Sequence, residues 1–522
     1  MQAPMLKSVV TVGGWTMASR VAGFARDMLI AALAGAGPVA DAFFVANRLP
    51  NLFRRLFGEG AFNAAFVPEF AGLLAVEGPG AAQRFAEEAF AVLGFWLVLL
   101  TVLGEKFMPF LMRGLAPGFA DEPEKFALAV ALGRITFPYL LLICLSALLS
   151  GVLNGLDRFT AAAAAPVLYN LFSIAAMLLL GPVLPTVGHA LAWGVSLSGV
   201  AQLGLLLWAV RRGGMRLHVP RPRLTPAMRV LLRRMAPGLI GASVTQLNLA
   251  MDTILASLLP PGSVSLLYYA DRVNQLPLGV IGTAVGTALL PALARQVRGG
   301  DAAASLASLN RALEYALFLT IPAAVGLIVA AEPVMFVLFA RGAFTAREAA
   351  GSAAALAAYA IGLPAFVLVK VLVPGFFARG DTATPVKLGL VALLLNLALN
   401  LSLIWSLAQV GLALATSLAA IVNCLALGIV LARRGHLVID ARLRRRVVRM
   451  VVAALVMAGV CLGLQHSAYA MLEADRWGRW LGLAILVGGG LGAYVGAAEL
   501  LGACGLRELA AGLRRRTPAG GG

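Results

Sequence analysis

Apolar windows of about 20 residues follow one another along the whole chain, and a helix of that length just crosses the hydrocarbon of a bilayer. Inside hydrocarbon every backbone N–H and C=O must be satisfied within its own segment, so such windows read as helices rather than open strands. We count about fourteen, at 7–34, 39–72, 88–113, 126–152, 160–181, 187–211, 237–259, 264–294, 310–331, 349–377, 385–405, 410–432, 448–466 and 480–503. With 60% hydrophobic and 13% charged residues and a mean hydropathy of +0.89, the 522-residue chain fits no soluble class. The expected fold is an all-α polytopic membrane protein.

The connections set its orientation, because Lys and Arg in short loops stay on the cytoplasmic side. The stretch from Arg211 to Arg234 carries eight arginines and no acid, and Arg433 to Arg449 carries seven against the single Asp440. Arg507, Arg514, Arg515 and Arg516 make the tail basic, whereas Asp121, Glu122, Glu124, Glu473 and Asp475 sit in the alternate loops. An even number of spans then places both termini in the cytoplasm. The net charge of +18 lies mostly in these flanks, so it reads as topology and not as a nucleic-acid surface. The first apolar stretch is too long and too internally charged for a cleavable signal peptide. Cys144, Cys424, Cys461 and Cys504, and the four scattered histidines, suggest neither disulfides nor a metal site.

Sliding the chain against itself by 224 residues aligns Arg48 with Arg272, Pro109 with Pro333, Gly151 with Gly375, Asp157 with Asp381 and Thr160 with Thr384. At 225, Asp27 meets Asp252 and Gly37 meets Gly262. Six spans per repeat give two lobes of the same orientation, related by a pseudo-twofold axis along the membrane normal, with a substrate site between them. The expected domains are a six-helix lobe at 1–215, a basic cytoplasmic linker at 216–236, and a second six-helix lobe at 237–432. A second basic linker at 433–447, amphipathic and lying on the cytoplasmic surface, leads to two extra spans and the basic tail at 448–522.

Charges inside the spans point to the site. One charge at the bilayer centre costs about 2.5 to 3.5 kcal/mol on insertion scales, so clustered charges must line a wet cavity or meet partners. Arg20 and Asp27 are seven apart on one face of the first helix, beside Arg26. The second window holds Asp41, Arg48, Arg55 and Glu59 near one another around the helix, with Asn47, Asn51 and Arg54 on an adjacent strip and Pro50 between. The eighth holds Tyr268, Tyr269, Asp271, Arg272, Asn274 and Gln275 before Pro277, and Lys370 lies in the tenth. Ion pairs such as Asp27 with Arg26 or Arg20, Asp41 with Arg48, and Asp271 with Arg272 would only join helices, and Lys370 could snorkel to an interface. Arginines nevertheless outnumber acids here, and the surplus suits an anionic ligand, because the guanidinium fork binds phosphate bidentately. A membrane enzyme acting on polyprenyl phosphates would need an acidic metal site or a positioned acid and base, and no DxxD or HExxH motif occurs. A channel would need a selectivity loop or charge ring, and none is visible.

The segments MLKSVVTVGGWTMASRVAGFARD, DAFFVANRLPNLFRRLFGEGAFNAAFVP, YYADRVNQLP and KVLVPGFFARGDTATPVK closely resemble the MurJ (MviN) family of lipid II flippases over nearly the whole chain. The resemblance implies the multidrug/oligosaccharidyl-lipid/polysaccharide exporter fold, two six-helix lobes with two extra helices bordering a groove for the lipid tail. It assigns Arg20, Arg26, Arg54 and Arg272, with Asp27 and the acid Asp41, to the substrate cavity, which Asn51, Arg55 and Lys370 extend; Gln275 stands where some members carry glutamate. It implies export of undecaprenyl-pyrophosphate-linked disaccharide pentapeptide across the bacterial inner membrane for peptidoglycan synthesis, with no covalent step. The expected partners are lipid II, membrane phospholipids, and proteins of peptidoglycan synthesis or division. A related exporter of another polyprenyl-linked glycan, or of drugs, is the alternative, and a cationic cavity argues against drugs. No cofactor is expected, except that sodium as a coupling ion would draw on Asp252, Asn396, Asn400 and Thr416, since some members of the family have a sodium site in these three helices.

Overall fold

The computed structural model describes residues 2–55, 62–472 and 476–503. Glu59, Glu473, Asp475, Cys504 and the basic tail lie outside them. Every apolar window falls on helix, and no strand occurs among the described residues. The helices are α1 (Gln2–Ala34), α2 (Pro38–Phe53), α3 (Phe62–Val76), α4 (Pro79–Lys106), α5 (Met108–Leu115), α6 (Pro123–Thr136), α7 (Tyr139–Gly155), α8 (Phe159–Leu179) and α9 (Val187–Arg212). They continue with α10 (Pro226–Ser257), α11 (Ser263–Arg298), α12 (Ala302–Val329), α13 (Ala331–Phe339), α14 (Ala346–Phe377), α15 (Ala383–Arg433), α16 (Ala441–Leu472) and α17 (Arg476–Leu500). By length and apolarity alone, nine described spans qualify to cross a membrane. One of the nine, Ala383–Arg433, contains both of the windows at 385–405 and 410–432.

Local chemistry explains the boundaries. Prolines occupy the first turn of α2, α4, α5, α6 and α10, where the missing N–H has no partner to lose. Thr345 begins α14 with a reciprocal capping box to Glu348. The windows at 385–405 and 410–432 are two helices within α15 that meet at Ala408, whose φ of +48° is left-handed and strained for a residue with a Cβ, and the bend there brings Asn396 within 3.2 Å of Thr416. The described parts of the window at 39–72 are α2 and α3, and the window at 88–113 divides into α4 and α5. The same division recurs in the second half: α4 and α12 are each 28 residues long, and each is followed after one residue by a short helix, α5 or α13. The repeat is thus visible in element order as well as in residues.

The chain packs as two units, 1–265 with 341–344, and 266–340 with 345–522. The basic linker at 216–236 does not coincide with this boundary: α10 belongs by its contacts to the first unit. In that unit α1 packs on α8, α8 on α9, and α2 on α6. Its core stacks Phe66 against Phe62, Phe70 and Phe85 with ring centroids 5.1, 5.7 and 5.4 Å apart. In the second unit α14 packs on α15 and α12, and the additional pair α16 and α17 packs together, with α16 also against α12. A Cβ on Gly362 would come within 2.7 Å of Ser417, so glycine there permits the close approach of α14 and α15.

The second basic linker is shorter as an irregular segment than its charge run. α16 already begins at Ala441, and Arg442 and Arg446 turn inward onto Glu314 of α12, joined by Arg311, which also reaches Asp440. Glu314 is 1% exposed, so an isolated carboxylate there would be costly, and the three guanidiniums compensate it. Arg444, Arg445 and Arg449 remain exposed.

Candidate functional site

In the first unit, a continuous polar ladder crosses α1, α8 and α2 within otherwise apolar surroundings. Arg26 donates from Nε and Nη2 to Oδ1 of Asp27, at 3.1 and 2.6 Å, and both residues are buried. The guanidinium of Arg26 lies over the Tyr169 ring, 5.0 Å from its centroid, a cation–π contact that fixes the side chain. Asn47 donates to the Tyr169 hydroxyl at 3.2 Å, Asn51 to the carbonyl of Asn47 at 2.8 Å, and Arg54 from Nε to Oδ1 of Asn51 at 3.2 Å. Helical spacing produces the α2 part: residues 47, 51 and 54 recur at four and three and so share a face. Asn170, next to Tyr169, donates to the Ser19 carbonyl at 3.0 Å and holds α8 against the turn of α1 that carries Arg20.

Arg20 itself is exposed and has no hydrogen bond or ion pair with any described residue. The expected Arg26–Asp27 pair is therefore present, yet it neutralises only one arginine. Arg48 donates to the Thr253 hydroxyl at 3.0 Å instead of pairing with Asp41. Arg54 is half-buried, and Arg55 is exposed at the end of α2. Arg272 belongs to the second unit, on α11, half-buried beside Asp271, which accepts from Gln275 at 2.5 Å. Lys370 is exposed on α14 of the same unit. Tyr169 is the ladder residue that the sequence reading missed; the dipeptide Tyr169–Asn170, polar inside an apolar window, was the available signal.

Asp41 requires a correction. Expected in the cavity, it is 1% exposed and fully engaged: Oδ2 accepts from the Gly262 N–H at 2.7 Å, and Oδ1 from the Ser265 N–H and hydroxyl at 2.9 and 2.6 Å. Lys125, itself 3% exposed, lies 3.3 Å away. The carboxylate satisfies the free N–H groups that open α11, where the helix dipole also favours an anion. Its place is structural, and its buried lysine partner balances its charge.

The residues proposed for sodium are divided between the units, Asp252 in the first and Asn396, Asn400 and Thr416 in the second. The latter three form a donor chain: Asn400 donates to Oδ1 of Asn396 at 2.6 Å, Asn396 to Thr416 at 3.2 Å, and Thr416 to the Leu412 carbonyl at 3.0 Å. These hard oxygens suit a cation, and Oδ1 of Asn396 and Oγ1 of Thr416 each accept from one amide.

The chain is similar to known proteins in both sequence and fold. The family model described as "Lipid II flippase MurJ" matches residues 30–473. A "Probable lipid II flippase MurJ" of Rhizobium tropici is 43% identical over 99% of this chain and 98% of its own length. A second, from Rhizobium meliloti, is 48% identical over 87% of this chain and 85% of its own. The fold matches a solved "Lipid II flippase MurJ, inward closed conformation" with a TM-score of 0.77 at 24% identity, over 94% of this chain and 98% of that one. The motifs, the doubled element order and these matches lead to one conclusion: the chain is a multi-pass membrane protein belonging to the MurJ family of lipid II flippases.

Proposed function

We propose that the protein carries lipid II from the cytoplasmic to the periplasmic leaflet of the bacterial inner membrane, by alternating access and without a covalent step. The observation that carries this reading is the surplus of guanidinium groups over acids in the α1–α8–α2 ladder, with Arg20 left without a partner among the described residues. A pyrophosphate supplies the missing anion, and a bulky sugar-peptide headgroup needs such a polar path because it cannot cross hydrocarbon unaided. Arg20, Arg26, Arg54 and Arg272 hold the pyrophosphate in this reading, and the polyprenyl chain stays in lipid beside α16 and α17.

Both termini and the two basic linkers face the cytoplasm in this proposal. An inside-negative potential, worth about 2.3 kcal/mol per charge per 100 mV, then drives the bound anionic headgroup outward. Two measurements test the reading. Expression of this chain during depletion of a host flippase is expected to restore growth and periplasmic lipid II, and failure despite normal insertion would overturn it. Export measured with and without a sodium gradient is expected to be the same, and to collapse when the potential is dissipated.

A further inference from the structure

A crevice of about 390 Å³ opens on the side of the first unit, where α4, α6, α7 and α9 meet. Its volume falls within the range of small-molecule and lipid-sized sites, and Leu142, Leu197 and Val200 make most of its wall apolar. Two charged residues also line it, Arg134 of α6 and Glu105 of α4. They are neighbours without being an ion pair: Arg134 donates from Nε to the backbone carbonyl of Glu105 at 3.3 Å, and neither forms a salt bridge with another described residue. The guanidinium is thus anchored by its inner nitrogen, with both terminal nitrogens available, and the carboxylate stands beside it uncommitted.

The level of the crevice in the membrane follows from the elements that build it. α4 is an apolar span that ends at Glu105 and Lys106. Trp193 lies six residues into α9, about 9 Å at the helical rise, where indole rings favour the boundary between headgroups and hydrocarbon. Trp193 is 45% exposed, and Leu197 and Val200 below it are 42% and 58% exposed. A separated cation and anion at headgroup depth, above an apolar wall at acyl-chain depth, match an amphiphile whose polar part carries both charges.

We propose that this crevice binds a zwitterionic aminophospholipid, with its phosphate on Arg134, its ammonium on Glu105 and an acyl chain along Leu142, Leu197 and Val200. The paired charges decide the class. A purely anionic headgroup would set its phosphate beside the Glu105 carboxylate with nothing to offset the repulsion. A choline headgroup has no N–H to donate to that carboxylate.

The test uses the purified full-length chain in detergent, offered equimolar phosphatidylethanolamine, phosphatidylglycerol and phosphatidylcholine with identical acyl chains, and bound lipid is counted by native mass spectrometry. Wild type is expected to retain phosphatidylethanolamine in preference to both others. Arg134→Gln lowers that retention about tenfold or more, the consequence of losing one charge-assisted hydrogen bond. Glu105→Gln brings phosphatidylglycerol up to the level of phosphatidylethanolamine, because it removes the ammonium partner and the repulsion together. Leu197→Trp, a change at a lipid-exposed position, blocks retention by filling the crevice while the charges stay. Unchanged thermal midpoints in lipid-free detergent establish that the variants are folded. Equal retention of the three lipids by wild type, a preference for phosphatidylglycerol, or retention unaffected by both Arg134→Gln and Leu197→Trp would each overturn the proposal.

Discussion

Arg26 and Arg20 illustrate how neighbouring arginines on one helix take different roles. Arg26 is preorganised: Asp27 neutralises it, Tyr169 supports its plane, and burial removes competing water. In the proposed function Arg20, exposed and without a bonded partner among the described residues, is the arginine left to meet the ligand. Replacing Arg20 by Ala is expected to abolish complementation at normal membrane abundance, and Lys to restore only part, because it keeps charge but not the bidentate fork. Arg26→Ala is expected to abolish function as well, and in addition to lower the thermal midpoint, since it removes the guanidinium paired with the Asp27 carboxylate at 0% exposure. Tyr169→Phe retains the ring and loses only the hydroxyl that Asn47 reaches, so export within a few-fold of wild type is expected, measured as periplasmic lipid II. Full activity of Arg20→Ala would return that residue to a structural role.

At the level of elements, helix ends carry much of the specificity. Asp41 closes the start of α11 and balances Lys125, so Asp41→Ala leaves a buried ammonium and free N–H groups together. A loss of about 3 to 5 kcal/mol is expected, the usual cost of breaking a buried pair from one side, read as a large fall in thermal midpoint. The turn between α14 and α15 behaves differently because it is solvent-facing. Asp381 accepts from Thr384 and Arg434, and these bonds hold its carboxyl well below the ordinary carboxylate range. Its stabilising contribution is complete above the unfolded value of about 4 and disappears as pH falls through the lower folded value. The difference in midpoint between wild type and Asp381→Asn is therefore expected to be constant from neutral to mildly acid pH and to shrink only below about pH 4.

The whole molecule is a doubled set of helices with two added at the end, and its orientation is the prediction that belongs to this scale. Single cysteines placed in the linkers at 216–225 and 434–440, in a background lacking the native thiols, are expected to resist membrane-impermeant reagents applied from the periplasm. A cysteine at Asp121 is expected to react. The helical class, the repeat and the family were legible in the residues because each rests on local chemistry or on motifs: apolar runs of bilayer length, prolines at helix starts, and charges too costly to leave in lipid. The arginines of the ladder were legible for the same reason. Tyr169 was not, because a tyrosine in an apolar window reads as packing until a cation is seen over its ring.

By itself, then, the sequence determined the solvent, the helices and the excess of arginine within the spans, since transfer of a side chain into hydrocarbon depends on that side chain and its near neighbours. Tertiary structure decided the pairings. Asp41 finds its partners 221 and 224 positions away, at the start of α11, and no spacing along α2 could reveal that. It likewise decided that Arg48 meets Thr253, and that Glu105 and Arg134 stand side by side without pairing. The physical reason is common to all three: the rotation and depth of each helix are fixed by packing between distant segments, and a shift of one residue turns a side chain by about 100°.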